Sequence, residues 1–466
     1  MQTNARCSLF PVLVESGAGR STLYVPADHP LAARIRNTAG HWLRLRLGKL
    51  PLLAALRRAP AGSEAARLVL GRKVPWPRSG ALPLQMRRLK SGVWHVGPVI
   101  GILSRRYRGA IFGPQTALFR RMIREAAGIS AAAFTFTPGS WVPARRRMLG
   151  YRPAAGLRWR RVAFPLPDVV YDRAFRSPAV VGTLVRLRRA GVRVFNGRLG
   201  SKWRQTLIVR TDPELRPFVP PTRRLRSASD LSLFLSRYGA VYVKPTGGGM
   251  GRGIWRIERS GNGYLVRHTD RHARVHGFRA RSVGSIYRSI RRYGGPFIVQ
   301  SRLQLIRWEG AIADVRVLMQ KNLTGQWQMT GAGVRAGRRA GIVSNLSGGG
   351  RSLPLNVVLE NAFPGETERI REIIQQIHTL ALRIARRFDR FIASLGELGI
   401  DLGIDTQGRI WFLEVNSKTG RRLFHHLEGS TAGQDADRRP MEYAAWLAGF
   451  GTPNEEGEND WLPSSS

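Results

Sequence analysis

The chain of 466 residues is about three times the length of a typical single domain, enough for two or three compact units and large cores. Hydrophobic residues at 43%, aromatics at 9% and 52 glycines suit a folded α/β protein; no run approaches the roughly 18 uninterrupted apolar residues of a membrane span, and a lone cysteine, Cys7, excludes an internal disulfide framework and a thiolate zinc site. Charge is the abnormal quantity: 76 basic against 30 acidic side chains give +46, and residues 1–200 hold 36 of the basic and 6 of the acidic ones. Two readings of this excess stand. One is attraction to polyanions, either acidic peptides and polymers or, non-specifically, nucleic acid; the other is a compositional bias toward arginine on a solvated surface.

The first residues show no basic leader followed by a long apolar run, which predicts a cytoplasmic protein. Residues 1–97 read as a β-rich module: Trp42 to Leu47 alternates at period two, and Ala66 to Leu70 follows a turn-rich break. A buried-strand run is expected over Val96 to Leu103. A helix is expected over Gln115 to Ala127, where Leu118, Phe119, Met122 and Ile123 fall at helical spacing. Strand and helix signals repeat at Val162–Phe164, Asp168–Tyr171 and Val181–Ala190, so residues 98–200 read as an open α/β domain. Residues 201–430 carry strand candidates at Ala240–Lys244, Phe297–Gln300, Val315–Gln320 and Ile410–Val415. One helix has an apolar stripe from Ile370 to Phe388. The remainder, 431–466, is expected to be a tail, acidic over Asn454–Asp460.

Two segments carry chemistry. Val241-Tyr242-Val243-Lys244 is a β-run that delivers a lysine into a loop containing Gly247, Gly248, Gly249, Gly251 and Gly253, where backbone N–H groups can approach a polyphosphate while the ammonium neutralises it. The second, Leu398 to Asn416, reads as a hairpin turning at Asp405-Thr406-Gln407-Gly408. It brings Asp401 beside Glu414 and sets Glu414 and Asn416 on one sheet face. Three oxygen donors gathered there suit Mg²⁺ carrying nucleotide phosphates, while Asp405 is a turn-stabilising residue.

In this order the segments resemble the ATP-grasp superfamily, and the spacing from Asp401 to Glu414 and Asn416 is similar to that of D-alanine:D-alanine ligases. Gly97-Pro98-Val99-Ile100-Gly101-Ile102-Leu103, Gln300, Asp314-Val315-Arg316-Val317-Leu318, Gln326-Trp327, Arg335, Asn345-Leu346-Ser347-Gly348-Gly349-Gly350 and Glu414-Val415-Asn416-Ser417-Lys418 resemble the YheC/YheD-type endospore coat-associated ATP-grasp proteins, over roughly residues 40–425. The resemblance implies an ATP-grasp fold with α+β lobes, preceded by an α/β domain and a β-rich module. It implies ATP and Mg²⁺ as cofactors, and Lys244 on the phosphates under the glycine loop. It also implies Gln300 at the adenine edge, Asp314 near the ribose, and Arg316, Arg335 and Asn345 as phosphate-facing catalytic groups. Lys202 matches the lysine ahead of the nucleotide lobe, and Asp401, Glu414 and Asn416 match the metal ligands. Asn416-Ser417-Lys418-Thr419-Gly420 departs from related ligases, many of which have proline before the glycine, so the acceptor side is not decoded. The implied reaction joins a carboxylate to an amine through an acyl phosphate, and the implied location is the endospore coat. A basic polyanion-binding or structural coat protein that keeps an ATP-grasp shell is the competing reading. His268, His272 and His276 read as a solvated lid surface, His425 and His426 as loop surface, and Trp94, Trp308 and Trp327 as packing residues. No chemistry is assigned to Cys7.

Overall fold

The computed structural model describes residues 8–35, 42–78, 80–107, 111–156, 158–249, 251–337, 339, 341–342, 350–427 and 430–451. Cys7, Met250, Asn345 and the acidic stretch Asn454–Asp460 lie outside them. The chain divides into two compact units, one of residues 1–197, 321–326 and 437–466, the other of 198–320 and 327–436. The module expected over 1–97 and the α/β domain expected over 98–200 therefore share a unit almost entirely.

In the first unit, period-two patterning closes into a barrel. Its strands run in the order Phe10–Ser16, Arg67–Leu70, Thr22–Val25, Leu50–Arg58, Trp42–Leu47, Trp94–Gly97 and Leu82–Arg88. Leu43, Leu45 and Leu47 point inward and are buried, whereas the intervening Arg44 stays outside. The single run expected over Val96 to Leu103 is two strands, Trp94–Gly97 in the barrel and Val99–Leu103 in the next sheet. Pro98 supplies no backbone N–H and ends the first ladder. A Cβ on Gly97 would lie 2.9 Å from Asp168 Oδ2 and 3.0 Å from Phe450 Cε2, so glycine is required where the chain changes sheets. Asp168 also accepts from the Val99 amide at 3.0 Å and contacts His95 Nε2 at 2.8 Å, both side chains being buried.

The second sheet has parallel neighbours Ala132–Phe136, Val99–Leu103, Val169–Asp172 and Arg193–Phe195. Helix Thr116–Gly128 buries its predicted stripe of Leu118, Phe119, Met122 and Ile123 there. The tail expected from residue 431 is corrected. Ala432–Ala448 is a helix, and Met441, Tyr443, Ala444, Ala445 and Phe450 bury in the core that holds Phe119 and Phe195. Small and aromatic residues outweigh the polar ones on one face of this segment, which composition alone obscures.

The second unit holds two antiparallel sheets. One runs Thr222–Leu225, Phe297–Ser301, Ala240–Pro245, Trp255–Ser260, Gly263–Thr269, Val275–Ala280, with helices Ala228–Tyr238 and Val283–Tyr293 in its core. Ser227 and Asp230 form a reciprocal capping box at the start of the first of these helices. The other sheet runs Arg351–Pro354, Trp327–Ala336, Ala311–Lys321, Glu397–Ile404, Ile410–Asn416. Helix Thr367–Phe391 lays Ile373, Ile377, Leu380, Ala381, Ile384 and Phe388 onto this sheet, which makes the stripe core.

Candidate functional site

Strand register assembles the charged centre. Arg316 pairs with Asp401, and Asp401 pairs with Glu414, so three charged residues stand in a row across three strands. A bulge after Asp401 leaves Leu413 as the extra residue, since Leu402 then faces Phe412. Alternation puts Asp314 beside Arg316 and Asn416 beside Glu414 on the same face. Asp401 accepts from Arg316 Nη2 at 2.9 Å, also from Arg316 Nε, and faces Arg335 Nη2 at 2.9 Å. Arg335 also grips Asp314 with both ends of its fork at 2.7 Å. Burial alone would push the Asp401 carboxyl up, but the two guanidiniums hold it below the usual range. Burial likewise works against the Arg335 charge, and Asp401 and Asp314 more than compensate, so its pKa is raised.

The other sheet delivers the lysine. Lys244 leaves the same face as Gln300 and Thr222, and its Nζ donates to Gln300 Oε1 at 2.6 Å while Gln300 Nε2 donates to Thr222 Oγ1 at 2.9 Å. The Gln300 amide is thus engaged on both sides. Burial, and then the charge of Lys202, lower the Lys244 pKa to about 7. Lys202 begins the helix Lys202–Arg210, capped by Ser201, and pairs with Glu414. Burial lowers its pKa to about 8, against the pull of Asp401.

After Lys244 the chain takes positive φ at Gly248, Gly251 and Gly253, +87°, +70° and +67°, a conformation that favours glycine. A Cβ added at Gly247, Gly248 or Gly249 would meet nothing within 4 Å, so this stretch of backbone borders open space. Thr269 Oγ1, a residue the motif reading missed, donates to Gly251 O at 2.7 Å and accepts from the Ile254 amide at 3.0 Å, pinning the far end of the loop.

These groups converge on one cavity of about 900 Å³. Lys202, Lys244, Gly247, Gly248, Gly249, Gly251, Gln300, Asp314, Arg316, Arg335, Asp401, Glu414 and Asn416 all line it. Of the residues singled out from the sequence for this site, Asn345 is the one outside the described residues. Ile298, Leu303, Leu305, Ile312 and Leu413 add an apolar wall.

The donor chemistry fits Mg²⁺. Asp401, Glu414 and Asn416 offer oxygen atoms, and the Lys202 ammonium at Glu414 marks a place where positive charge is favoured. Asn416 Nδ2 reaches Glu414 Oε1 at 3.2 Å and Asp401 Oδ2 at 3.4 Å, which ties the three together. Among the described residues no three His, Cys, Asp or Glu side chains are grouped to hold a metal ion, so a cation here would depend on phosphate oxygens as well. His268 and His276 face each other across strands Gly263–Thr269 and Val275–Ala280, with ring centroids 5.4 Å apart.

Sequence reading also missed a buried support. Glu397 and Arg421 form an ion pair with side chains 0% and 1% exposed, and Gln320 Nε2 donates to Glu397 Oε2 at 2.7 Å. Arg421 ends the loop after Asn416 that contributes Lys418 and Gly420 to the cavity. A Cβ on Gly399 would collide with Thr419 in that loop.

The family model described as YheC/D like ATP-grasp matches residues 191–447. The chain is 28% identical over 368 residues to the endospore coat-associated protein YheD of Bacillus subtilis (strain 168), covering 76% of this chain and 80% of that protein. It is 25% identical over 277 residues to YheC of the same organism, covering 58% and 75%. Among solved structures, D-alanyl-alanine synthetase A from Vibrio cholerae O1 biovar eltor str. N16961 aligns with a TM-score of 0.44 at 11% identity, over 76% of this chain and 98% of that one.

Proposed function

This chain belongs to the YheC/D-like ATP-grasp family, and on that premise we propose that it binds Mg-ATP and spends it in joining a carboxylate to an amine. The observation that carries this reading is the meeting, in one cavity, of a glycine-rich backbone and cationic side chains, Lys202, Lys244, Arg316 and Arg335 among them, with the oxygen donors Asp401, Glu414 and Asn416. The glycine backbone and Lys244 bind the phosphate chain, and the apolar wall receives the purine. Bound through Glu414, Asn416 and Asp401, Mg²⁺ would neutralise phosphate charge.

An oxygen of the acid substrate attacks the γ-phosphorus and ADP departs, leaving an acyl phosphate. Arg316 and Arg335, held in place by Asp401 and Asp314, face the charge that spreads over the transferring phosphoryl group. The amine then adds to the acyl carbon and inorganic phosphate leaves, the surplus amine proton passing to solvent. Positioning and electrostatics carry such a reaction without a covalent nucleophile on the protein. The coat association in the names of YheD and YheC supports placing the activity at the endospore coat.

The test is incubation of the full chain with Mg-ATP and a library of amino acids and acidic peptides, followed by mass spectrometry and ADP assay. The reading expects a product with the mass of acid plus amine minus water, formed one for one with ADP. ADP release without any amide product, across the library, would oppose it.

A further inference from the structure

Val275–Ala280 is the outer strand of its sheet and, among the described residues, has a strand neighbour, Gly263–Thr269, on one side. Val275, His276, Gly277, Phe278 and Arg279 are all exposed. Val275 keeps 48% and Phe278 38% of its surface in solvent, two large apolar side chains on opposite faces of an edge whose backbone groups are open to pairing.

The surroundings are basic. Arg271, Arg274, Arg279 and Arg281 are exposed around this strand. Asp270, the acid of the stretch, is turned inward to its own turn, accepting from the His272 and Arg274 amides at 2.8 and 2.9 Å and contacting His276 Nε2 at 3.1 Å. The hairpin is stiffened by rings: Trp255 stacks on His268 at 4.3 Å, and His268 on His276 at 5.4 Å. A preformed, stiff edge loses little entropy when it takes on another strand.

We propose that this edge is a docking strand for an acidic peptide in extended conformation, which adds to the sheet as a further strand. The open ladder supplies backbone hydrogen bonds, Phe278 takes an apolar side chain of the incoming segment on one face, and Arg279, on the opposite face, pairs with its carboxylates. A second copy of this chain is disfavoured, because pairing two such edges would gather the exposed arginines of both copies, Arg271, Arg274, Arg279 and Arg281 of each, along one seam. Nucleic acid would use the arginines and leave the ladder and Phe278 without partners. The inference goes beyond the ligase reading and needs no turnover.

The experiment is fluorescence anisotropy of a labelled octapeptide alternating Glu and Val on the full chain, with hydrogen exchange on the complex and Mg-ATP binding measured on the same samples. Binding is expected, with slowed exchange at Val275–Ala280. Phe278→Glu, and separately the pair Arg274→Glu with Arg279→Glu, should each weaken it about tenfold or more while nucleotide binding is unchanged. If Phe278→Glu also loses nucleotide binding, the Arg274→Glu with Arg279→Glu pair decides alone by the same criterion. The proposal is overturned by absence of peptide binding, by unchanged affinity in the variants, by protection elsewhere, or by light scattering that shows this edge occupied by a second copy. Peptide binding by a chain that fails to bind ATP would sink the ligase reading and leave the edge standing.

Discussion

Lys244 is buried beside a second cation, and the free protein therefore holds its ammonium weakly, with a pKa of about 7. A polyphosphate favours the charged form, so above pH 7 binding must take up a proton. The sign follows: ATP affinity is full below about pH 7 and falls as pH rises, by at most about tenfold per unit for each proton taken up. Calorimetry in buffers of different ionisation enthalpy should register that uptake at pH 8, and a flat affinity from pH 7 to 9 would contradict it. Folding responds separately: between about 7 and 10.5 the folded chain binds fewer protons at this site than the unfolded one, so this group's contribution to stability rises with pH across that window. Lys244→Ala should weaken ATP by about 1.5–3 kcal/mol, the range for a charge-assisted contact, and leave adenosine binding nearly untouched. Equal losses for both ligands would make Lys244 a support of the fold. Lys244 and Glu414 were legible because each stands in a local pattern, a strand feeding glycines and a hairpin. The bond from Lys244 to Gln300, and from Gln300 to Thr222, joins residues 56 and 78 positions apart and leaves no local trace.

Among the elements, those with strong period were legible and those defined by caps were not. The 398–416 hairpin and the helix over 370–388 follow from alternation and from the apolar stripe. Helix Ala228–Tyr238 was missed although Ser227 and Asp230 spell its start, because its stripe is short. The Glu397–Arg421 pair shows a different limit: each residue is unremarkable in sequence, and only tertiary burial makes them partners. Breaking it with Arg421→Met should destabilise the chain by about 3–5 kcal/mol, since a buried carboxylate is left without its guanidinium. The double variant with Glu397→Gln should recover part of that loss. Denaturant unfolding of the variants checks this, and a double variant no more stable than the single would contradict it.

Across the whole molecule, the early charge excess admits a direct comparison. If the arginines of residues 1–200 recruit an acidic partner, full-length protein should bind poly-glutamate with affinity that falls steeply with salt and rises with ATP. Tight binding to neither poly-glutamate nor DNA would leave the charge as bias. Ala432–Ala448 reads as polar in isolation, and its second half, from Met441, finds its apolar face in a core made by residues far earlier in the chain. Calorimetric titration of ATP with and without Mg²⁺, on the full chain and on Glu414→Gln, tests whether the cavity under the glycine loop is a Mg-ATP site. The expected result is Mg²⁺-dependent ATP binding by the full chain, and ATP binding largely indifferent to Mg²⁺ in the folded variant. Mg²⁺ dependence unchanged by Glu414→Gln, or no ATP binding by the full chain, would contradict it.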